Sequence, residues 1–188
     1  MAELLYSLQS VFTAYPNGKI FNIPEYQRGY KWSEQQVNQL LDDIYNFSLT
    51  RKNEQFYCLQ NITLFQNTND QNYLNVVDGQ QRLTTATLLL SYLQASQIVA
   101  KKLYYAVREP SNNFIQKIIN NESNIIESII CAENFETYIT SQSEELDFQD
   151  IYYMFSALRT IDAWFKKTKQ NFDKENFKDI VLHNVKLI

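Results

Sequence analysis

Apolar residues recur at helical spacing in two segments of the first fifty residues, and each segment predicts an amphipathic helix. The first segment is short and covers residues 4–12. The second begins at the capping box formed by Ser33 and Gln36 and continues to Leu49. Between them, a turn signal at residues 15–18 precedes a short strand over residues 19–23, so this part of the chain alternates helix, strand and helix.

Two runs of β-forming residues, 56–65 and 73–77, flank a polar connection at residues 66–72. This pattern predicts an antiparallel hairpin with a loose loop. The next segment, residues 83–93, is apolar on nearly every side, which is typical of a helix in the interior of a domain. The second strand of the hairpin therefore leads almost directly into a buried helix.

The second half of the chain is predicted to be helical. No strand pattern is visible from residue 97 until the final apolar run at residues 185–188. Apolar stripes over residues 148–158 and 177–181 predict amphipathic helices, and the Asn-rich pairs and triplets at 111–113 and 120–121 predict breaks. Because the chain stops inside an apolar run, we expect it to be part of a longer protein.

The amino-acid composition and the net charge exclude several classes of function. The 188 residues are 45% hydrophobic and 20% charged, which indicates a folded chain. A net charge of −4 gives no general attraction to nucleic acid, so any DNA contact needs a local basic patch. His183 is the only histidine, which removes Ser-His-Asp, HExxH and HNH chemistry from these residues.

The cysteine content and the hydropathy of the sequence indicate the cellular compartment of the protein. Cys58 and Cys131 are far apart in apolar surroundings, and we expect both to be buried free thiols. The sequence contains no secretion signal and no apolar run long enough for a membrane span. We therefore expect a cytoplasmic protein without membrane association.

The densest polar stretch lies between the hairpin and the buried helix, at Asp78-Gly79-Gln80-Gln81-Arg82. A strand that ends in a glycine turn and opens a helix directs free backbone N–H groups at one point, where an anion is stabilised. The Arg82 guanidinium suits a phosphate or carboxylate, and Asp78 could hold a metal ion or a water. Polar groups between two buried segments are costly to place, which indicates a site.

A second polar stretch, Ile23-Pro24-Glu25-Tyr26-Gln27-Arg28-Gly29-Tyr30-Lys31-Trp32, carries a Pro, a Gly and three aromatic residues. It is unsuited to a regular helix, and aromatic side chains flank its arginine. Aromatic rings that pack such a loop down would fix Arg28 in place, as a binding loop requires.

Together the two stretches resemble the N-terminal domain of GmrSD-type modification-dependent restriction endonucleases, a bacterial family defined by its DGQQR motif. The resemblance implies an α+β fold, with a small ParB/sulfiredoxin-like core of sheet and helix over residues 1–96. A helical region over residues 97–188 would follow. The family implies nucleotide binding and NTP hydrolysis with Mg²⁺ in anti-phage restriction. It also implies modified phage DNA as a partner, and an HNH-type nuclease domain located elsewhere.

The resemblance also assigns roles to residues of both motifs. The implied catalytic residues are Asp78, Gln81 and Arg82. The implied nucleotide-binding residues are Arg28, Gly79, Gln80, Gln81, Arg82, Thr84 and Thr85. The implied supporting residues are Tyr26, Gln27, Tyr30 and Trp32. Asp78 is the implied metal ligand.

Other interpretations of the same residues stay open. The domain could be a non-catalytic, nucleotide-gated or DNA-sensing module, or a ParB-like nuclease or DNA-binding domain, although its charge argues against the last two. In a purely structural interpretation, Arg82 pairs with Asp78 or Asp43 to join a strand to a helix. The sequence departs from the family at Gln60, where relatives often have glycine, and a later Asn- and Gly-containing motif would fall beyond Ile188.

Overall fold

The computed structural model describes residues 5–13, 18–106, 109–142, 145–168 and 172–188. Residues 15–17 of the predicted turn at 15–18 lie outside this part of the chain, as does Leu4, the first position of the predicted opening helix. The strands are β1 (Tyr6–Ser7), β2 (Ile20–Ile23), β3 (Tyr57–Cys58), β4 (Thr63–Gln66), β5 (Tyr73–Asp78), β6 (Leu103–Tyr105) and β7 (Val185–Leu187). The α-helices are α1 (Leu8–Thr13), α2 (Glu34–Thr50), α3 (Gln80–Tyr92), α4 (Ser96–Val99), α5 (Glu109–Asn120), α6 (Ile125–Cys131), α7 (Phe135–Thr140), α8 (Gln149–Thr168) and α9 (Lys174–His183).

The strands form two mixed sheets. In the larger sheet the order is β4-β5-β2-β6, with β2 parallel to both β5 and β6 and with β4 antiparallel to β5. In the smaller sheet β7 lies in the centre, antiparallel to β1 and parallel to β3. The predicted α+β fold class is confirmed, and the likeness to ParB and sulfiredoxin stays a prediction.

The predicted hairpin is confirmed for its inner part, where β4 pairs with β5. The run at residues 56–65 is not one strand, however. Its first part, β3, belongs to the smaller sheet, and its last part, β4, belongs to the larger one. Gln60 lies between them with a φ of +70°, and this left-handed backbone breaks the extended conformation that a single strand would need.

Helices α2 and α3 form as the pattern predicts. The Gln36 carboxamide accepts a hydrogen bond from the backbone N–H of Ser33 at 3.0 Å, so the capping interaction fixes the start of α2. The apolar stripe of α2 is buried, and α3 is buried along nearly its whole length. Helix α8 packs against both α2 and α3.

One hydrophobic core joins the two halves of the sequence. It contains Phe21 and Leu83 from the first half, and Ile161 and Val185 from the second. Polar contacts also cross between the halves, since the Trp164 indole N–H donates to the carboxylate of Asp42 at 2.7 Å. The predicted boundary at residue 96 therefore falls within a shared core, and the division into two domains stays a prediction.

Two expectations about the second half of the chain are wrong. Strand β6 was not predicted, because a three-residue edge strand has too short a pattern to detect. Residues 111–113 continue α5 instead of breaking it. The reason is tertiary, since the Asn112 side chain accepts a hydrogen bond from the backbone N–H of Tyr105 at 3.1 Å. The predicted break at residues 120–121 is confirmed by the end of α5.

Both cysteines are free thiols, as expected, but both are exposed, which corrects the prediction of burial. Cys58 lies at the outer face of the short strand β3, and Cys131 ends α6. The Cys131 thiol donates to the carboxylate of Glu127 at 3.1 Å, and this hydrogen bond is the main cause that raises the pKa of Cys131. Among the described helices, none has the length and hydropathy needed to cross a membrane.

Candidate functional site

Gly79 forms the junction between β5 and α3. Strand β5 ends at Asp78, α3 begins at Gln80, and Gly79 between them has a φ of +93°, which L side chains rarely adopt. A Cβ atom at this position would lie 2.3 Å from Cγ2 of Ile62. The junction thus requires glycine for two independent reasons, the backbone conformation and the close approach of the neighbouring segment.

The first turn of α3 has backbone N–H groups available for a ligand. The first N–H group of this turn that donates to a carbonyl is that of Leu83. It bonds to the Gly79 carbonyl at 3.0 Å. Within the described chain, no acceptor receives the N–H groups of Gln80, Gln81 or Arg82. A helix N-terminus with unused donors carries a partial positive charge and favours an anion.

Arg82 is held by the segment that precedes β4. Its Nη1 donates to the Asn61 carbonyl at 2.7 Å, and its Nη2 donates to Oε1 of Gln60 at 2.9 Å. The carboxylate of Asp78 lies 3.6 Å from Nη1, which is the pairing foreseen in the structural interpretation of the motif. The guanidinium is therefore fixed in position, and its remaining donors are oriented by the protein.

Gln80 and Gln81 hold the second motif against the first. The Gln81 amide donates to the Gly29 carbonyl at 3.1 Å, and its carbonyl accepts from the Lys31 N–H at 2.8 Å. The Gln80 amide donates to the Arg28 carbonyl at 2.8 Å, while its Oε1 atom is buried without a partner in the described chain. The two carboxamides thus join loop and helix, and one buried acceptor is left for a donor from a ligand or a water.

Thr84 and Thr85 are fully buried and face tyrosines. The Thr84 hydroxyl donates to the Gln80 carbonyl and contacts the Tyr105 hydroxyl at 2.5 Å. The Thr85 hydroxyl donates to the Gln81 carbonyl and contacts the Tyr30 hydroxyl at 2.8 Å. Burial is the main cause that raises the pKa of Tyr30 above its ordinary value, so this hydroxyl stays protonated. Both threonines support the turn from the interior and do not line the cavity described below.

The five predicted residues of the second motif lie in different environments. Gln27 donates to the Val77 carbonyl at 2.8 Å and fixes the loop to the end of β5. Arg28 is exposed, and its guanidinium has no partner in the described residues. Trp32 is half-buried at the edge of the site. Tyr26 is 70% exposed and lies outside the cavity lining, while Tyr30 belongs to the core.

Both motifs line one small cavity of about 180 Å³. Its lining consists of Gln27, Arg28, Trp32, Asp78, Gly79, Gln80, Gln81 and Arg82. Trp32 and Arg82 also line an adjoining groove of about 440 Å³ between α2 and β3. The two arginines thus border the same space as the open N-terminus of α3, and a larger groove continues from it.

A residue far along the chain also shapes the site. A Cβ atom at Gly29 would lie 2.9 Å from the Cβ of Asp150, a buried residue in the first turn of α8. Sequence reasoning did not identify Asp150, since about 120 residues separate it from the loop and it belongs to no motif. The glycine of the second motif thus permits the loop to lie directly on α8.

The residues at the site provide one carboxylate for a metal ion. Asp78 borders the cavity, and its side chain is 66% exposed. Within the described residues there is no group of three or more His, Cys, Asp or Glu side chains that could hold a metal. Mg²⁺ commonly uses one or two carboxylates together with phosphate oxygens, so Asp78 suits an ion that arrives with a nucleotide.

Gln60 is the position at which the sequence departs from the family pattern, and its positive φ leads to a testable prediction. A side chain in the left-handed region costs about 1 kcal/mol relative to glycine, and the Gln60 side chain offsets part of this by holding Arg82. We therefore expect Gln60→Gly to be more stable than Gln60→Ala by about 1 kcal/mol, measured by urea unfolding. If Gln60→Ala equals or exceeds Gln60→Gly in stability, the left-handed backbone at this position is not strained.

These features define an α+β domain with a candidate anion site, in which a strand–glycine–helix junction faces an arginine-bearing loop. The family model of the GmrSD restriction endonuclease N-terminal domain matches residues 8–188, and the chain belongs to this family. The match confirms the resemblance inferred from the two motifs and extends it through the helices to the last strand. No curated protein matches the chain.

Proposed function

We propose that this domain binds a nucleoside triphosphate, together with Mg²⁺, between its two motifs. The observation that carries the proposal is the convergence of two kinds of phosphate-binding group on one cavity. The open N-terminus of α3 supplies unused N–H groups, and Arg28 supplies a guanidinium without a protein partner. Arg82, already oriented by Asn61, adds a second guanidinium.

The size of the site supports a nucleotide bound across two spaces. The cavity of about 180 Å³ is smaller than the pockets of roughly 300–1,000 Å³ that hold whole small ligands. The adjoining groove of about 440 Å³ provides the additional room, with Trp32 and Tyr57 as aromatic surfaces for a base. The phosphates would lie against α3, and the nucleoside would extend toward α2.

Asp78 is the residue that would hold Mg²⁺ with the phosphates. Its carboxylate is open to solvent at the rim of the same cavity. Bound Mg²⁺ would supply charge neutralisation for the phosphate oxygens.

Hydrolysis by the domain itself is a second candidate, and one observation bears on it. The Gln81 carboxamide uses both its nitrogen and its oxygen to hold the loop, and Gln80 uses its nitrogen, so only the buried Oε1 atom of Gln80 is left to accept from a water. Asp78 is the one acidic side chain in the cavity lining. This arrangement favours nucleotide binding that controls a nuclease region of the restriction enzyme over rapid turnover by these residues alone.

The proposal predicts that Arg28→Ala weakens nucleotide binding without affecting the fold. Charge-assisted hydrogen bonds contribute about 1.5–3 kcal/mol, so we expect the Kd to rise at least about tenfold. Calorimetric titration with ATP, GTP, CTP and UTP in the presence of Mg²⁺ measures this change. Since Arg28 is exposed and has no partner in the described chain, the unfolding midpoint should match that of the wild type.

Lys52→Ala is the matched control, because it removes one exposed positive charge away from the cavity. It should bind nucleotide as the wild type does. Phosphate release measured on the same samples separates binding from hydrolysis. Absence of binding by the wild type for all four nucleotides, or equal binding by Arg28→Ala, would contradict the proposal.

A further inference from the structure

A groove of about 980 Å³ lies between α7 and α8. It lies apart from the nucleotide site, with which it shares no lining residue. We name it the aromatic groove. Its aromatic lining consists of Phe135, Phe148, Tyr152, Tyr153 and Phe155.

The aromatic residues form a connected surface. The ring of Phe135 contacts those of Tyr152 and Phe155 edge to face, each at 5.3 Å between centroids. Tyr152 and Tyr153 are in contact at 5.4 Å. Tyr152, a large aromatic side chain of α8, is 46% exposed. Of the other four, Phe135, Phe148 and Tyr153 are half-buried and Phe155 is buried, so the groove presents a partly exposed aromatic surface of the kind found at interaction sites.

The rim of the aromatic groove is acidic. Glu34, Glu133, Glu136 and Asp147 line it, all four are exposed, and none forms an ion pair with a described residue. Arg159 is the one basic residue in the lining, and the protein already uses it. Its Nη1 donates to the Glu133 carbonyl at 3.1 Å, and its guanidinium lies over the Phe155 ring at 5.5 Å.

We propose that the aromatic groove docks a basic, amphipathic peptide segment of a partner protein. Lysine or arginine side chains of the segment would pair with the acidic rim, and its apolar side chains would cover the aromatic surface. The argument rests on charge complementarity, since four carboxylates without ion-pair partners surround an apolar floor. A volume of about 980 Å³ is at the upper end of the range for small-molecule pockets and leaves room for several side chains.

The same charges argue against nucleic acid as the occupant. Phosphate binding requires lysine and arginine side chains that release counterions, and this rim presents carboxylates. The proposal is also independent of nucleotide binding at the two motifs. A protein segment rich in basic residues can pair with the acidic rim and also cover the aromatic floor of the groove.

The test uses this chain and two labelled twelve-residue probes, one of alternating lysine and leucine and one of alternating glutamate and leucine. We expect fluorescence anisotropy to show binding of the lysine probe and none of the glutamate probe. The triple variant Glu133→Lys, Glu136→Lys, Asp147→Lys should weaken binding of the lysine probe at least tenfold. Tyr152→Ala should weaken it severalfold while leaving the net charge unchanged.

A matched variant separates the groove from general charge. Glu54→Lys, Asp70→Lys, Asp179→Lys makes the same change in net charge at exposed positions outside the groove. It should bind the lysine probe within about twofold of the wild type. The proposal is overturned if this control loses binding as the groove variant does, or if the glutamate probe binds equally well.

Discussion

Gly79→Ala is expected to lower the free energy of unfolding by about 2–5 kcal/mol, the largest effect of any single methyl group at the site. Two costs add at this position. The backbone is left-handed, with a φ of +93°, and the new Cβ would lie 2.3 Å from Cγ2 of Ile62. For a chain of this size the loss corresponds to a fall in Tm of roughly 5–15 °C, which thermal unfolding followed by circular dichroism measures.

Gly18 offers a matched control for the backbone cost alone. Its φ is +80°, and nothing lies within 4 Å of the position that a Cβ would occupy. Gly18→Ala should therefore cost only about 1 kcal/mol. In the double variant with Ile62→Ala, the effect of Gly79→Ala should shrink toward that value, because the closest contact, with Cγ2 of Ile62, is removed while the Cβ and Cα of residue 62 remain at 3.1 and 3.2 Å. Equal losses for Gly18→Ala and Gly79→Ala would show that Ile62 moves aside at no cost.

Gln81→Ala is expected to cost about 2–3 kcal/mol and to release the loop that carries Arg28. The Gln81 carboxamide makes two hydrogen bonds to the loop backbone, at Gly29 and Lys31. Its removal leaves a backbone donor and a backbone acceptor without partners in a part-buried position. Urea unfolding measures the loss of stability, and hydrogen exchange should show faster exchange in residues 26–32 while α2 stays protected.

Two further variants make this prediction specific. Gln35→Ala removes an exposed glutamine from α2 and should leave stability within about 0.5 kcal/mol of the wild type. Gln81→Glu preserves the shape but can restore only one bond at neutral pH, because its second carboxylate oxygen faces the Gly29 carbonyl. Wild-type stability in Gln81→Glu would mean that the contact with Gly29 contributes nothing.

The elements nearest the site were predictable because local physics determines them. The capping residues and apolar stripe of α2 act within a few residues of each other, and the apolar character of α3 reports its burial directly. The two motifs were identifiable for a similar reason. Glycine and arginine between apolar runs are costly unless they have a role, and the family match confirms the resemblance that they suggested.

The parts that could not be predicted depend on distant contacts. Asn112 continues a helix that its own propensity disfavours, since its side chain is used by the backbone of Tyr105. The hydrogen-bond partners of Gln81 were equally unpredictable. A carboxamide can both donate and accept, and the sequence does not show which backbone groups lie opposite it. The contact of Gly29 with Asp150 joins segments that no local pattern relates.

The position of β7 in the smaller sheet has a consequence for synthesis on the ribosome. This strand lies between β1 and β3, so both neighbouring strands are translated long before the strand that pairs with them. The bond from Asn184 to Gln55 alone spans 129 residues. At about 5–20 residues per second, roughly 6–26 seconds pass before the partner of β3 is translated. During that interval the edge of β3 is open to nascent-chain chaperones and to other polypeptides.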